Sequence, residues 1–221
     1  MTWVKICGMT NLEDALLAVE AGADAVGFVF YEKSRRCVSV EKAREIVRKL
    51  PESVEKVGVF VNQVEGTLSE LSDRAGLTAI QMHGDNEDPH VAELVAAKRP
   101  CLKILAAISM LRERPDIWAM KWRPDAVHAF LLDSGGSSTP GGTGKTFDWR
   151  ASGAALENIR KVGKVIAAGG LNSENVAEAM DLLRPWGVDV VSGVEAEPGK
   201  KDPEKVRAFV RAVREYDRKV G

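Results

Sequence analysis

The chain has 221 residues, enough for one domain with a deep core, and its 31 basic residues nearly cancel its 32 acidic ones. This balance argues against a nucleic-acid groove and against binding to an anionic membrane surface. We expect neither a membrane helix, which needs roughly 20 apolar residues, nor a signal peptide in the segment Met1–Gly8. Cys7, Cys37 and Cys101 lack disulfide or zinc spacing, so we expect a cytoplasmic protein.

Short apolar runs alternate with amphipathic stretches along the chain. The apolar runs are rich in β-branched or aromatic residues, which favour strands. The predicted strands are Val4–Cys7, Ala25–Phe30, Lys56–Val61, Ala79–His83, Leu102–Ala107, Ala129–Asp133, Lys164–Ala168 and Asp189–Ser192. The predicted helices are Asn11–Gly22, Ser39–Leu50, Glu65–Ala75, Glu87–Lys98, Pro115–Lys121, Trp149–Ile159, Ser173–Leu183 and Pro203–Tyr216.

This alternation predicts an α/β fold, a single (βα)8 TIM barrel with an eight-stranded parallel sheet. An open doubly wound sheet is the alternative, but it usually has a glycine-rich turn after its first strand. The segment Cys7–Asn11 has no such glycine spacing. Because no linker or change in composition divides the chain, we expect residues 1–221 to form one domain. In such barrels the chemistry lies at the C-terminal ends of the strands.

The first predicted strand ends at Cys7. Side chains alternate along a strand, so Lys5 and Cys7 share the inward face, while Val4 and Ile6 face the helices. A nearby ammonium stabilises a thiolate and lowers the pKa of the thiol, which favours Cys7 as a reactive group. The alternative is that Cys7 is a small buried apolar residue. Lys5 is also predicted to be an interior charge neutralised by a carboxylate such as Asp189.

Three further strand ends offer polar candidates. After the second strand, either Arg35 or Arg36 is suited to grip a carboxylate with two hydrogen bonds, or both are solvated. Gln81 and His83 share one face at the end of the fourth strand, where they contact a polar ligand or a neighbouring strand end. Asp133 ends the apolar sixth strand and is a proton donor if a closed site raises its pKa, or else a turn residue.

The stretch after the sixth strand, residues 134–149, is rich in Gly, Ser and Thr, and we predict that it covers a ligand. Its segment Gly144-Lys145-Thr146 resembles the end of a Walker A motif. That motif requires a glycine at position 139, where this chain has Thr139. The loop is also too long for a tight phosphate cradle, which disfavours nucleotide hydrolysis.

Glycines mark the ends of the last two strands, as Gly169-Gly170 and Ser192-Gly193. Backbone N–H groups of glycines approach an anion closely, and the loops after the seventh and eighth strands of barrels often bind phosphate. The alternative is that these turns need glycine for backbone reasons alone.

Taken together, the motifs resemble those of the phosphoribosylanthranilate isomerase family, in family order and over nearly the whole chain. They are Lys5-Ile-Cys-Gly, Gly27-Phe-Val-Phe, Ser34-Arg-Arg, Val57-Gly-Val-Phe-Val-Asn, Gln81-Met-His-Gly, Leu131-Leu-Asp, Gly141-Gly-Thr-Gly-Lys-Thr-Phe-Asp-Trp, Ala168-Gly-Gly-Leu and Val188-Asp-Val-Val-Ser-Gly-Val-Glu. The resemblance implies an enzyme of tryptophan biosynthesis. Its reaction would be the Amadori rearrangement of N-(5-phosphoribosyl)anthranilate to 1-(2-carboxyphenylamino)-1-deoxyribulose 5-phosphate, without cofactor or metal.

The resemblance also implies roles for individual residues. It assigns Cys7 as the general base, Asp133 as the general acid and Arg36 as the residue that holds the anthranilate carboxylate. The expected substrate-binding residues are Arg36, Gln81, His83, Gly169, Gly170, Asp189, Ser192 and Gly193. Val191 stands where the family often has serine, so a hydroxyl contact to phosphate is lost at that position.

Two competing functions follow from the same sequence. A related phosphosugar isomerase would carry a carboxylate base on its first strand, which Cys7 argues against. A non-catalytic barrel that binds a phosphorylated ligand would not need both Cys7 and Asp133 at the barrel mouth. For the family that the motifs resemble and for the related phosphosugar isomerase alike, we expect a small-molecule phosphoribosyl substrate, no nucleic-acid or membrane partner, and a monomer or homodimer.

Overall fold

Eight parallel strands close into a barrel in the computed structural model, which describes residues 1–84, 88–135 and 146–221. The strands are β1 (Trp3–Cys7), β2 (Ala25–Val29), β3 (Glu55–Val61), β4 (Ala79–His83), β5 (Lys103–Ser109), β6 (Ala129–Asp133), β7 (Lys164–Ala167) and β8 (Gly187–Val190). Each strand pairs with the next, and β8 pairs with β1, so the sheet has no free edge. The predicted (βα)8 barrel is confirmed.

Eight α-helices lie in the described part of the chain, one after each strand. They are α1 (Leu12–Glu20), α2 (Val40–Val47), α3 (Glu65–Ala75), α4 (Pro89–Lys98), α5 (Pro115–Ala119), α6 (Gly153–Val162), α7 (Val176–Leu183) and α8 (Pro203–Val220). A 3₁₀ helix, Ser192–Val194, and an antiparallel hairpin of β9 (Glu195–Glu197) and β10 (Lys200–Lys201) separate β8 from α8. None of the helices described here is both long and apolar enough to cross a membrane.

Several helices begin where a side-chain oxygen accepts hydrogen bonds from the first turn. Asn11 caps α1 by accepting from the amide of Asp14. Ser39 caps α2 in the same way, and Asp202 caps α8 by accepting from two amides of its first turn. These caps satisfy N–H groups that have no partner within the helix.

The predicted eighth strand, Asp189–Ser192, is wrong by two residues, because the strand is Gly187–Val190. After it the chain turns into the 3₁₀ helix Ser192–Val194, which removes those residues from the ladder. At the other end of the strand, Gly187 lies against Trp3, and a Cβ at Gly187 would be 2.9 Å from the Trp3 carbonyl oxygen. A glycine has no side chain to contribute to an alternating pattern, so the sequence pattern did not show that the strand begins at Gly187.

Two helices, α6 and α7, begin three or four residues later than predicted because a side chain organises a turn first. Asn172 Oδ1 accepts from the amides of residues 174 and 175, so α7 begins at Val176. Asp148 Oδ1 likewise accepts from the amides of residues 150 and 151 ahead of α6. Asp88 caps α4, which begins at Pro89, and the predicted start at residue 87 lies outside the described residues.

Apolar side chains form two separate clusters. The barrel interior holds Ala25, Val57, Ala79, Leu105, Ala107, Ala129, Leu131, Ile166 and Ala168. The larger cluster fills the layer between sheet and helices and includes Val4 and Ile6 from β1. The predicted alternation along the first strand is therefore confirmed, and it places Lys5 and Cys7 on the inward side.

Candidate active site

A cleft at the C-terminal ends of the strands brings together most of the predicted site residues. Its space, including the open mouth, is about 760 Å³. The predicted residues that line it are Cys7, Arg36, Gln81, His83, Asp133, Gly169, Gly170, Asp189 and Ser192. Gly193 is not among the lining residues. The strand-end positions of the barrel thus converge on one site.

A buried ion pair lies at the inner side of the cleft. Lys5 is fully buried, and its Nζ donates to Asp189 Oδ1 at 2.8 Å and to Gln81 Oε1 at 2.9 Å. Burial lowers the pKa of Lys5, but the opposing effects of Asp189 and Cys7 outweigh it and leave that pKa raised. The prediction that Asp189 neutralises Lys5 is confirmed, and the pair holds Gln81 in place.

Cys7 ends β1 with its thiol inside the barrel and is almost completely buried. Gly27 on β2 makes room for it, because a Cβ at Gly27 would overlap the Cys7 Sγ atom. Burial raises the pKa of the Cys7 thiol, and Lys5 lowers it by a smaller amount. The expected direction of the Lys5 effect is therefore correct, but the expectation of a lowered thiol pKa is wrong, since desolvation of the thiolate dominates.

Asp133 ends β6 and is buried at the other side of the cleft. Its Oδ2 has no hydrogen-bond partner among the described residues, and His83 Nε2 lies 3.4 Å away. Burial raises the pKa of Asp133, while His83 and the amides of Ser134 and Gly135 lower it by smaller amounts. A buried carboxyl with a raised pKa at the lining of a ligand site has the properties of a proton donor.

The loop after β2 contributes Arg36, and the structure separates it from Arg35. Arg36 lines the cleft, whereas Arg35 is exposed outside it. The guanidinium of Arg36 donates from Nε to Glu195 Oε1 at 2.8 Å and from Nη2 to Oε2 at 2.7 Å. Gly8, with φ of +83°, passes so close that a Cβ there would be 2.8 Å from Arg36 Cδ. Arg36 is therefore held firmly at the rim.

Lys201, a residue to which the sequence pattern assigned no role, lies behind the rim. Its fully buried Nζ donates to the carbonyl oxygen of Cys7 at 2.6 Å, to Glu195 Oε1 at 3.1 Å and to the carbonyl oxygen of Val191 at 3.3 Å. Burial lowers the pKa of Lys201, and Glu195 opposes that effect. Burial raises the pKa of Glu195, but Arg36 and Lys201 together leave it lowered.

Glu195 and Lys201 were missed for a definite reason. Glu195 appeared in the sequence only as the end of a motif, and Lys201 belongs to a hairpin that no apolar pattern predicts. The contact between Lys201 and Cys7 spans 194 residues of chain. Local patterning carries no signal for a contact of this kind.

The glycines after β7 and in the segment that follows β8 serve different purposes. Gly169 and Gly170 have φ of +77° and +68°, a region that favours glycine, and both line the cleft. A Cβ at Gly193 would overlap the carbonyl oxygen of Leu171. Close packing therefore accounts for Gly193, whereas the backbone of Gly169, Gly170 and Ser192 borders the site.

Comparison with known proteins gives one family. A family model described as N-(5'-phosphoribosyl)anthranilate (PRA) isomerase matches residues 4–212. The N-(5'-phosphoribosyl)anthranilate isomerase of Pelobacter propionicus is 45% identical over 216 residues, which are 97% of this chain and 97% of that protein.

Two solved structures have the same fold. The crystal structure of phosphoribosyl anthranilate isomerase from Thermotoga maritima superposes with a TM-score of 0.86 at 43% identity, covering 97% of this chain and 100% of that one. A phosphoribosyl anthranilate isomerase in complex with reduced 1-(o-carboxyphenylamino)-1-deoxyribulose 5-phosphate has a TM-score of 0.83 at 40% identity, with coverage of 97% and 100%.

Proposed function

Because the chain belongs to the N-(5'-phosphoribosyl)anthranilate isomerase family, we propose that Cys7 and Asp133 carry out the proton transfers of its reaction. The chain is an isomerase of tryptophan biosynthesis, not the non-catalytic barrel that its sequence left open. One observation carries the assignment of residues. The side chains of Cys7 on β1 and Asp133 on β6 line the same cleft, which Arg36 and the strand-end glycines also border.

Asp133 acts first, as the general acid. It gives its proton to the ring oxygen of the ribose, the C1′–O bond breaks, and the nitrogen lone pair forms a Schiff base at C1′. The burial of Oδ2, which accepts no hydrogen bond from the described residues, supports this role, because burial raises the pKa of Asp133 and so favours its protonated form. The carboxylate that results is stabilised by the neighbouring His83 and by two backbone amides.

Cys7 then acts as the general base. Its thiolate removes the proton from C2′, and the electrons of that C–H bond form the C1′–C2′ double bond of an enolamine. Lys5 and Lys201 favour the thiolate against the effect of burial. The enolamine tautomerises to the C2′ ketone as C1′ gains a proton, so C1′ is reduced and C2′ is oxidised within one molecule. This balance requires no external electron acceptor.

The remaining residues hold the two anionic ends of the substrate and the ribose between them. Arg36 holds the anthranilate carboxylate, and the backbone of Gly169, Gly170 and Ser192 holds the phosphate. The left-handed backbone of Gly169 and Gly170 at the cleft supports this phosphate position. Val191 supplies no hydroxyl there. Gln81, His83 and Asp189 contact the polar ribose, since all three line the cleft.

One assay tests the function. The purified protein is mixed with freshly prepared phosphoribosylanthranilate, and anthranilate-type fluorescence is followed with time. We expect fluorescence loss that increases with enzyme concentration. Loss no faster than spontaneous hydrolysis would contradict the function. A phosphoribosyl substrate from histidine biosynthesis, tested in parallel, measures the competing dual-substrate activity, and we expect no turnover of it.

We further propose a cytoplasmic location and a monomeric or homodimeric state. Cys7, Cys37 and Cys101 are all free thiols, and two of them are exposed, which suits a reducing compartment. Residues 1–221 are proposed to fold as one unit, since β1 at one end pairs with β8 near the other. Light scattering after size exclusion measures the mass in solution.

A further inference from the structure

The hairpin of β9 and β10 carries two buried charges, of which Glu195 has no role in the proposed chemistry. Glu195 and Lys201, together with Arg36, form a connected group that we call the rim network. Glu195 accepts from both Arg36 and Lys201, and the amide of Gly199 donates to it at 3.2 Å. The network therefore joins the hairpin, the loop after β2 and, through the Cys7 carbonyl oxygen, the end of β1.

Glu195 occupies one particular edge of the Arg36 guanidinium. A guanidinium presents two edges that each bind a carboxylate with two parallel hydrogen bonds. Glu195 takes the edge formed by Nε and Nη2. The edge formed by Nη1 and Nη2 is left for a ligand in the cleft that Arg36 lines. Because the planar group cannot rotate without breaking both bonds, Glu195 sets the direction of that second edge.

Lys201 completes the network as an ammonium group. Its three acceptors, the carbonyl oxygens of Cys7 and Val191 and Glu195 Oε1, match the three N–H bonds of an ammonium. A neutral amine has only two N–H bonds and could not donate to all three acceptors. Lys201 thus binds both the backbone at the end of β1 and the carboxylate of Glu195, which orients Arg36.

The charges of the rim network do not cancel. Two cations, Arg36 and Lys201, share one carboxylate, so the network has a net charge of about +1 in a largely buried setting, where an uncompensated charge is costly. Glu195 and Lys201 are almost inaccessible, with exposed side-chain fractions of 4% and 0%. A carboxylate from a ligand adds a second negative charge beside these two cations, and the free edge of Arg36 is where it would bind.

From these contacts we propose that Glu195 is a positioning residue for recognition of the substrate carboxylate. It acts through Arg36, and Lys201 couples the same contact to the backbone of Cys7. The proposal rests on the proposed function, in which Arg36 holds the anthranilate carboxylate. The hairpin thereby holds two groups in one hydrogen-bonded network: Arg36, which binds the ligand's carboxylate, and the backbone of Cys7.

The test compares ligands with and without the carboxylate in the isosteric variant Glu195→Gln. Calorimetry measures Kd for reduced 1-(o-carboxyphenylamino)-1-deoxyribulose 5-phosphate and for the same compound without the carboxyl group. We expect Glu195→Gln to weaken binding of the first by about tenfold, the effect of misaligning a charged hydrogen bond, and to leave the second nearly unchanged. Glu70→Gln, which breaks an exposed ion pair with Arg74 on α3, is the matched control.

A double-mutant cycle shows whether Glu195 acts through Arg36. In the Arg36→Ala background, Glu195→Gln should add no further loss of affinity. Rescue provides a second readout: added acetate should not restore binding, because the missing feature is alignment and not charge. Full additivity in the cycle, equal losses for both ligands, or tighter binding by Glu195→Gln would each overturn the proposal. Tighter binding would mean that Glu195 competes with the ligand for Arg36.

If Glu195→Gln unfolds because Lys201 loses its partner, the double variant Glu195→Gln/Lys201→Met removes both members of that pair. We expect the same selective loss for the carboxylate ligand from this variant, and its absence counts against the proposal. Failure of the proposed function looks different. It appears as a wild-type protein that does not turn over phosphoribosylanthranilate. Failure of the role of Glu195 appears instead as an equal change in Kd for the ligands with and without the carboxyl group.

Discussion

Lys5 and Asp189 stand opposite each other in the register of β1 and β8, and their Nζ and Oδ1 atoms are 2.8 Å apart inside the barrel. The pair lies next to Cys7, whose thiol pKa is raised by burial and lowered to a smaller extent by Lys5. Electrostatic control of the proposed base therefore comes from the two strands that close the barrel.

Replacing Lys5 by Met should raise the pKa of the Cys7 thiol still further. A thiol with a raised pKa forms its thiolate only at higher pH, so the rate of alkylation by iodoacetamide should reach its midpoint at higher pH than in the wild type. The pH profile of alkylation, with Cys37 and Cys101 replaced by Ser in every sample, measures this. The double variant Lys5→Met/Asp189→Asn should lie between, because Asp189 acts in the opposite direction. An unchanged profile would remove Lys5 from the control of Cys7.

Loss of either proton-transfer group should abolish most of the activity. We expect Cys7→Ser and Asp133→Asn each to lower kcat by about a hundredfold or more, the usual contribution of a positioned acid or base. Both changes preserve side-chain size, so Tm should change little. The fluorescence assay measures kcat, and Cys101→Ser, at an exposed position, is the control. A loss of less than about tenfold in either variant would exclude that residue from its assigned role.

The two neighbouring arginines should behave differently. Arg36→Ala should raise KM about tenfold or more with a smaller effect on kcat, because it removes binding that the substrate and the transition state share. Arg35→Ala, at the exposed neighbour, should change neither constant. Steady-state kinetics on both variants decide the point. An unchanged KM for Arg36→Ala would reject its contact with the carboxylate.

Gly193 should be a structural glycine. A Cβ at this position would overlap the carbonyl oxygen of Leu171, so Gly193→Ala should cost roughly 1–3 kcal/mol of folding free energy, as overpacking does. Gly153, at the start of α6, has open space around it, and Gly153→Ala should be neutral or slightly stabilising. Urea denaturation of the two variants provides the comparison. Equal stabilities would contradict the packing argument.

Periodicity along the chain was sufficient to predict the barrel and the positions of Lys5, Cys7 and Asp133 in the site. The inward positions of Lys5 and Cys7 follow from alternation along a strand, and the terminal position of Asp133 follows from the end of an apolar run. Both properties depend only on neighbouring residues. The same reasoning placed the eighth strand two residues late, because Gly187 has no side chain to show the period.

The other half of the site depends on contacts that neighbouring residues do not encode. Apart from the family resemblance, nothing local separates Arg36 from Arg35, because the contact that fixes Arg36 is with Glu195, 159 residues further along the chain. The direction in which the Cys7 pKa is shifted depends on how deeply the thiol is buried, which neighbouring residues do not show. The motif segment Gly141–Lys145 and the predicted cover over the ligand fall largely on residues 136–145, outside the described residues, and stay predictions.

Closure of the barrel by β8 has a consequence for the chain as it is synthesised. Asp189 and Lys201 follow Lys5 and Cys7 by 184 and 194 residues, so a nascent polypeptide that ends before residue 189 contains Lys5 and Cys7 without these two partners. Lys5 then has no carboxylate with which to enter a dry interior, and the seam between the first and last strands stays open. Chains that end before β8 should therefore be inert in the fluorescence assay, because that strand closes the barrel against β1.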